Sequence, residues 1–326
     1  MWTGIVELQT EPLDAAASAL WFDTAEVRRR VLLERLRLYQ SLYPGGVHAV
    51  AAARLELSTL YELGVLAGGQ WRPLCARVAE HLRTFGPEHP NAAEAAYWQR
   101  LCLAQRTPET TTQPTTQRVL EGAPELRAAQ RQHFATYPHS RHAPRLARVL
   151  FEAAARDGAE EEMGAIVAAL ARHFPNHAET VTLAGQLRRR QAVGQLFWLA
   201  EQQTDGALID TRAFAGVPVL IVVWSTYDDA ARRCVLAVEE YRSANPGTQV
   251  VGVNLDISKA VMAAACVDLG IAWPQFNDGL GRANVFARHW GVERVPHVFV
   301  IDRCGRLCGS AQDDTWQGLA ARARAE

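Results

Sequence analysis

The amino-acid sequence predicts an all-α N-terminal half and an α/β C-terminal half. Apolar residues recur at helical spacing throughout residues 1–193. From residue 194 onward, short apolar runs rich in β-branched residues alternate with amphipathic segments, as strands alternate with helices in α/β proteins. This change of pattern predicts a domain boundary near residues 192–194, and therefore domains of residues 1–193 and 194–326.

The N-terminal half contains a series of segments with the apolar spacing of amphipathic helices. They are predicted at residues 26–43, 47–63, 71–85, 92–105, 125–137, 143–155, 160–174 and 178–191. Several junctions share a pattern, in which Tyr43-Pro-x-x-x-His48 recurs as Tyr137-Pro-x-x-x-His142. Proline prevents the preceding helix from continuing, so each copy predicts a turn between two helices. The array of helical hairpins resembles tetratricopeptide repeats, but its junctions lie 43, 51 and 35 residues apart and are therefore irregular.

Residues 107–117 interrupt this array. The segment holds six threonines and two prolines. Such a composition can neither hold a helix nor contribute to a core, so we expect a mobile surface loop here.

The C-terminal half begins with the pattern of a β-hairpin, at residues 196–201 and 207–210 around a turn at Asp205-Gly206. The apolar run at residues 217–224 then predicts a strand that is buried on both faces. The further predicted elements are a helix at 229–244, a strand at 249–255, helices at 258–269 and 284–290, a hairpin of 297–302 and 306–310, and a closing helix at 313–325 with Asp313 or Asp314 as its N-cap.

Trp224-Ser-Thr-Tyr227 lies where the buried strand passes into a helix. It resembles the Trp-Ala-Thr-Trp that precedes Cys-x-x-Cys in thiol–disulfide oxidoreductases of the TlpA/ResA type. The resemblance extends over residues 194–326 and implies an α/β thioredoxin-like fold, in which a central mixed sheet is flanked by helices. The further matches are Asp205-Gly206, Phe214-Ala-Gly216, residues 250–256, residues 270–274, Gly291-Val292, Val295-Pro296, and residues 298–302 with Gly305.

Asp228 and Ala231 occupy the two positions at which the resembled family has its cysteines. Thiol–disulfide exchange needs a thiolate that attacks and, usually, a second thiol that resolves the mixed disulfide. Because neither residue carries sulfur, the sequence predicts a degenerate active site. Asp228 or Asp229 is expected to cap the following helix, since a carboxylate is stabilised at a helix N-terminus. The alternative is an acid/base role for Asp228.

Val295-Pro296 resembles the cis-proline loop that faces the cysteine pair in this fold, and His297 follows it directly. His297 is expected to be a packed structural residue, and the alternative is a functional pair with Asp228. Cys234, one turn further along the predicted helix, is expected to be a small core residue. The alternative for Cys234 is a displaced redox thiol.

The other cysteines form no Cys-x-x-Cys pair. Cys266 is predicted to lie in the core. Cys304 and Cys308 flank a hairpin turn, where they either form a bridge or stay reduced, and reduced thiols are the expected state.

Two histidine pairs, His139-x-x-His142 and His173-x-x-x-His177, have spacings that invite comparison with metal sites. Both lie at proline-containing junctions and lack an accompanying carboxylate pattern, so no metal site is predicted. The sequence also contains no Gly-rich phosphate loop, and no cofactor is expected.

The chain carries 34 basic and 35 acidic residues, without the basic surplus of a nucleic-acid-binding protein. No run of apolar residues is long enough to span a membrane. Residues 1–7 lack the basic and apolar regions of a signal peptide. We therefore expect either a cytoplasmic protein or a start further upstream, although the resembled family is usually extracytoplasmic.

These patterns favour a non-catalytic module that binds a protein or peptide and is fused to a helical repeat array. Helical arrays commonly present concave binding surfaces. The residues expected to contact the ligand are Trp224, Tyr227, Asp228, Val295 and Pro296. Two alternatives stay open: a thiol–disulfide oxidoreductase that uses Cys234, and an α/β domain that only caps the array.

Overall fold

The computed structural model describes residues 1–3, 5–6, 21–66, 69, 71–84, 89, 91–104, 124–202, 208–313 and 315–325. The chain divides into two compact units, Met1–Asp157 and Gly158–Glu326, here named the helical unit and the α/β unit. The loop predicted at 107–117 and the turn predicted at Asp205-Gly206 lie outside the described residues, as does Asp314.

Helices that follow one another in sequence pack together in the helical unit, as the predicted hairpins require. The described helices of this unit are α1 (Trp21–Leu42), α2 (Ala49–Leu66), α3 (Arg72–Thr84), α4 (Ala92–Ala104), α5 (Pro124–Thr136) and α6 (Ala143–Asp157). Their apolar stripes meet in a core that includes the fully buried Leu57 and Leu74. The all-α prediction is therefore confirmed. Within the described residues, no helix combines the length and the apolar character needed to cross a membrane.

A disulfide joins Cys75 on α3 to Cys102 on α4. The sequence carried no signal for this pairing, because each cysteine stands alone on its own helix and 27 residues separate them. The bond closes the helical hairpin covalently, and closing a loop of this length reduces the conformational freedom of the unfolded chain.

The α/β unit begins with two helices and continues as a sheet with helices on both faces. Its elements are α7 (Glu160–His173), α8 (Ala178–Gln191), β1 (Ala200–Gln202), β2 (Leu208–Asp210), β3 (Val219–Trp224), α9 (Asp229–Ala244), β4 (Gln249–Asn254), α10 (Lys259–Asp268), β5 (Gln275–Phe276), α11 (Val285–His289), β6 (His297–Ile301), β7 (Leu307–Ala311) and α12 (Trp316–Ala325). The prediction of an α/β C-terminal half is confirmed.

The main sheet has the strand order β5-β4-β3-β6-β7. Strands β3, β4 and β5 run parallel, whereas β6 is antiparallel to β3 and to β7. Strands β1 and β2 form a separate antiparallel pair. The sheet is therefore mixed, as predicted, with β3 at its centre.

Strand β3 is apolar throughout because both of its faces are covered. Leu220, Val222 and Trp224 point into the core shared with α9 and α12. Ile221 and Val223 point into the opposite core, which contains the side chains of α11. All six residues of β3 are buried, which explains why the sequence shows a continuous apolar run instead of alternation.

Helix α8 packs closely against the end of α11, inside the α/β unit. A Cβ atom on Gly185 would lie 2.3 Å from the amide nitrogen of Gly291, so only glycine permits this approach. Arg189 Nη1 also donates hydrogen bonds to the carbonyl oxygens of Trp290 (2.9 Å) and Gly291 (3.2 Å). The predicted boundary near residue 193 therefore marks a change of secondary structure, whereas the compact units divide between residues 157 and 158.

Candidate functional site at the start of helix α9

The chain leaves the central strand through a short loop that is fixed by a buried carboxylate. Ser225 Oγ donates a hydrogen bond of 2.6 Å to Asp256 Oδ1, and the backbone N–H of Thr226 donates to the same oxygen at 3.1 Å. Asp256 lies just after β4 and is only 2% exposed. Because β3 and β4 are parallel, their carboxyl ends meet at one edge, and Asp256 ties the two following loops together.

Two buried asparagines extend this network. Asn254 Nδ2 donates to Asp256 Oδ2 at 3.0 Å, and Asn277 Nδ2 donates to Asn254 Oδ1 at 2.7 Å. The three loops after β3, β4 and β5 are thereby joined. These residues were not predicted as site residues; the available signal was a pair of polar side chains, Asn254 and Asp256, directly after an apolar strand.

Asp228 is the N-cap residue of α9, and its Oδ1 accepts a hydrogen bond of 2.8 Å from the backbone N–H of Ala231. Ala231 is fully buried, and its methyl group belongs to the core beneath the helix. Position 228 thus holds a carboxylate that accepts a hydrogen bond from the helix backbone, and position 231 holds a methyl group that is buried from solvent.

The Val295–Pro296 peptide bond is cis, and it immediately precedes β6. His297 pairs with Val223 in the sheet, so Pro296 lies beside the end of β3 that leads into the loop at Ser225. Val295 and Pro296 are both partly exposed. The cis-proline loop therefore borders the start of α9.

A mixed sheet with the order β5-β4-β3-β6-β7 and a helix that starts directly after its central strand is the topology of one known fold class. The α/β unit has a thioredoxin-like fold.

No protein-family model matches the chain, and no curated protein matches it. The chain is similar to the thioredoxin domain of a thiol-disulfide oxidoreductase from Bacteroides vulgatus, with 16% identity, 40% of this chain and 96% of that chain covered, and a TM-score of 0.36.

Two further solved structures give similar values. A thiol-disulfide oxidoreductase from Bacteroides fragilis is 16% identical, with 40% of this chain and 98% of that chain covered and a TM-score of 0.35. A secreted disulfide oxidoreductase from Mycobacterium tuberculosis is 17% identical, with coverage of 39% and 96% and a TM-score of 0.34. At these identities the likeness concerns the fold alone, which rests on the strand order above.

His297 does not pair with Asp228 in this thioredoxin-like unit. The ring of His297 lies against Phe299, on the sheet face opposite α9, and is 3% exposed. Neither ring nitrogen has a hydrogen-bond partner. Burial, with a smaller contribution from the charge of Arg189, lowers the pKa of His297 to about 3. Side chains alternate between the two faces of the sheet along β6, and this alternation places His297 on the face away from Asp228. The sequence alone did not show on which face His297 lies.

The thiols of the thioredoxin-like unit lie away from the start of α9 or are buried. Cys234 is 9% exposed and packs in the core beneath α9. Burial, and then the charge of Asp256, raise the pKa of Cys266 to about 11. Cys304 is exposed in the turn between β6 and β7 and forms no disulfide with Cys308.

Large apolar side chains are exposed around the loops that follow β3, β4 and β5. Tyr227, Ile257 and Leu280 are 77%, 79% and 53% exposed, and we name them the apolar rim. Each follows a different strand of the parallel set, at the edge where the buried network joins the loops. Exposed apolar side chains at one edge of a sheet are candidates for contact with other molecules.

One histidine of each predicted pair makes a contact that supports the fold. His142 Nε2 lies 2.9 Å from Glu94 Oε2, and its ring stacks on Tyr97. His177 Nδ1 accepts a hydrogen bond from the backbone N–H of Glu179 and caps α8. Across the described part of the chain, no three His, Cys, Asp or Glu side chains are grouped as metal ligands would be.

Proposed function

We propose that the thioredoxin-like unit is a non-catalytic module that binds a protein or peptide segment and is carried behind the helical unit. The observation that carries this proposal is the pair Asp228 and Ala231. An attacking thiolate at a helix N-terminus is the centre of thiol–disulfide exchange. Here a carboxylate stands at the first position and accepts the backbone N–H of Ala231, and a buried methyl group stands at the second position.

The remaining sulfur atoms are poor substitutes for the two missing thiols. Cys234 is one turn too far along α9 and faces the core. Cys266 has a raised pKa, so almost none of it is thiolate at neutral pH. Cys304 lies at the opposite end of β6 from Pro296, about 16 Å away at the usual rise of a strand.

The surface that remains is suited to holding an apolar segment. The apolar rim is exposed, whereas the loops that carry it are fixed from below by Asp256 and its asparagine partners. A rigid surface loses little conformational entropy when a ligand binds, so less of the favourable free energy of apolar contacts is offset by ordering the loops.

Selection of random peptides displayed on phage against the intact chain tests the binding function. We expect selected peptides to lose at least tenfold in affinity for an Ile257→Ser variant, because an exposed apolar contact is removed. A Leu236→Ser variant is the matched control, since Leu236 is an exposed apolar residue on α9 that lies outside the rim. Equal affinity for the wild type and Ile257→Ser would reject the rim as the binding surface.

Labelling with iodoacetamide at neutral pH tests the alternative of an oxidoreductase that uses Cys234. We expect Cys304 to react first because it is exposed, and Cys234 to react only when the protein is unfolded. Rapid labelling of Cys234 in the folded chain would favour the oxidoreductase.

A further inference from the structure

A groove of about 490 Å³ runs between the chain segment that leads into β1 and helix α11, within the α/β unit. Residues 196–201 form one side, and Val285, Phe286, His289 and Trp290 form the other. The volume is within the usual range for sites that bind small ligands. None of these residues belongs to the apolar rim, so the groove is a separate surface.

The segment that leads into β1 uses its backbone on one side only. The N–H groups of Phe197 and Leu199 each donate a hydrogen bond of 2.9 Å to other residues of the same unit. Among the described residues, the N–H and C=O groups of Leu196 and Trp198 have no hydrogen-bond partner. Successive residues of an extended chain direct these groups to opposite sides, so Leu196 and Trp198 present an open strand edge.

This open edge borders the groove. The buried side chains of Phe197 and Leu199 line the groove, and so do the exposed side chains of Leu196 and Trp198. Because residues from both faces of the segment take part, the groove runs along the edge of the segment and not over one face. Leu196 is 62% and Trp198 49% exposed, although proteins commonly protect a free edge with charged residues or proline.

Aromatic rings form much of the groove. Phe197 and Phe286 are buried, and the ring of Trp290 lies 4.6 Å from the ring of Phe197. The ring of Trp198 already accepts a guanidinium, because Arg212 lies 5.8 Å from its centroid, outside the groove wall. Such rings contact apolar side chains and also attract cations to their faces.

The charge of the groove favours a positively charged ligand. At neutral pH Glu201 is the charged residue of the lining, since burial, and then the charge of Arg188, lower the pKa of His289. Glu201 has no ion-pair partner among the described residues. Burial, and then the charge of Asp278, raise the pKa of Glu201. A cation placed beside Glu201 would offset both effects.

We propose that the groove binds an extended peptide segment, which pairs with the open edge at Leu196 and Trp198 and places a basic side chain beside Glu201. The backbone of the peptide forms hydrogen bonds with the free N–H and C=O groups of that edge. Its apolar side chains contact Phe286 and Trp290. Backbone pairing supplies affinity, and the carboxylate and the rings supply selectivity. Because the groove and the apolar rim share no residue, this proposal and the proposed function can fail separately.

Fluorescence anisotropy of labelled heptapeptides mixed with the intact chain tests the proposal. Each peptide has the sequence Thr-Val-Thr-X-Thr-Val-Thr with a C-terminal amide, where X is Arg, Gln or Glu. The β-branched residues favour an extended backbone, and Val and X share one face of it. Two further versions of the Arg peptide carry N-methyl groups, one on Val and Arg and the other on the internal Thr residues.

We expect the Arg peptide to bind about tenfold more tightly than the Glu peptide, because Glu201 and the ring faces attract a cation. One N-methylated version should bind at least about tenfold more weakly than the parent, and the other should bind like the parent, because an added edge strand is bonded on one side only. Equal binding of the Arg and Glu peptides, or equal effects of the two methylation patterns, would overturn the proposal.

Variants of the chain locate the binding. Glu201→Gln should remove the preference for Arg and leave the affinity for the Gln peptide unchanged. Leu196→Ser should weaken binding of all three peptides. Leu208→Ser is the matched control, since Leu208 is 68% exposed on β2 and lies outside the groove, and it should bind like the wild type. Ile257→Ser, in the apolar rim, should also bind these peptides like the wild type.

Unchanged affinity in Leu196→Ser would overturn the proposal. So would a wild-type chain that binds none of the peptides. If such a chain instead forms a dimer that Leu196→Ser dissociates in analytical ultracentrifugation, the occupant of the groove is a second copy of the chain and not a peptide.

Discussion

The helical unit and the α/β unit hold their buried carboxylates in different ways. In the helical unit Glu56 and Glu94 each accept hydrogen bonds from arginine side chains of other helices or turns. In the α/β unit Asp256 accepts hydrogen bonds from the neutral donors Ser225, Thr226 and Asn254. The comparison indicates that charged side chains link the elements of the helical unit at its buried carboxylates, whereas neutral groups link the loops that follow the strands of the α/β unit.

Removal of a buried carboxylate from the helical unit should give the largest loss of stability. Glu94 accepts hydrogen bonds from Arg141, His142 and Trp98. Glu94→Ala should destabilise the helical unit by about 2–5 kcal/mol, because the donors of Trp98 and His142 lose their acceptor at about 1–3 kcal/mol each. Hydrogen exchange followed by mass spectrometry, in peptides of α4 and α6, measures the loss. Glu26→Ala, which removes a surface pair with Arg30, is the control and should cost under about 1 kcal/mol.

The same carboxylate predicts acid sensitivity. Burial raises the pKa of Glu94, but the hydrogen bonds from His142 and Arg141 outweigh this effect and lower the pKa to about 2. Its unfolded-state value is higher, so the stabilisation is present above about pH 4.5 and is lost as the pH falls toward 2. Protection of α4 should decline over that window in the wild type and stay level in Glu94→Gln.

The disulfide of the helical unit should have the next largest effect. Replacing Cys75 and Cys102 together by alanine should destabilise that unit by about 3 kcal/mol, since the closed loop no longer restricts the unfolded chain. In thermal melting of the intact chain, the transition of the helical unit should move to a lower temperature, and the transition of the α/β unit should stay where it is. If both transitions shift equally, the two units are not independent in the way the comparison requires.

The glycine contact between α8 and the end of α11 tests whether α8 belongs to the α/β unit. Gly185→Ala should cost about 1–3 kcal/mol, because the added methyl group meets the backbone of Gly291. Gly164→Ala on α7 is the matched control, since nothing lies within 4 Å of its Cβ position. Gly164→Ala should be neutral or stabilising by up to about 1 kcal/mol. Equal effects of the two changes on urea unfolding would contradict the packing described here.

The smallest predicted change is a gain of stability at His297. The folded pKa of about 3 lies below the unfolded value, so this residue lowers stability as the pH falls from about 6.5 toward 3. His297→Phe removes that dependence and two unsatisfied nitrogens, and should stabilise the α/β unit by about 1–2 kcal/mol at pH 5 and by less at pH 8. Urea unfolding at the two pH values measures the difference, and a loss of stability at pH 5 would contradict it.

Local pattern predicted the fold well where packing is apolar and regular. The predicted helix at 229–244 coincides with α9, and the predicted strand at 217–224 contains β3. The two-residue strand β5 was not predicted, because it is too short to show alternation. The place of α8 in the α/β unit was also missed, since it depends on two glycines that leave no apolar signature.

The candidate site was predicted only in part. The absence of sulfur at positions 228 and 231 is visible in the sequence, and so is Val295-Pro296. The buried network around Asp256 and the separation of His297 from Asp228 depend on strand register. A single sequence does not show register, because a shift of one residue moves a side chain to the other face.

Thiol-dependent reduction of insulin by the intact chain is the most direct test of the central claim, that the start of α9 performs no sulfur chemistry. For the wild-type chain we expect no turnover above the rate with dithiothreitol alone. For the variant that carries both Asp228→Cys and Ala231→Cys we expect clear turnover. Turnover by the wild-type chain that disappears in a Cys234→Ser variant would contradict the account.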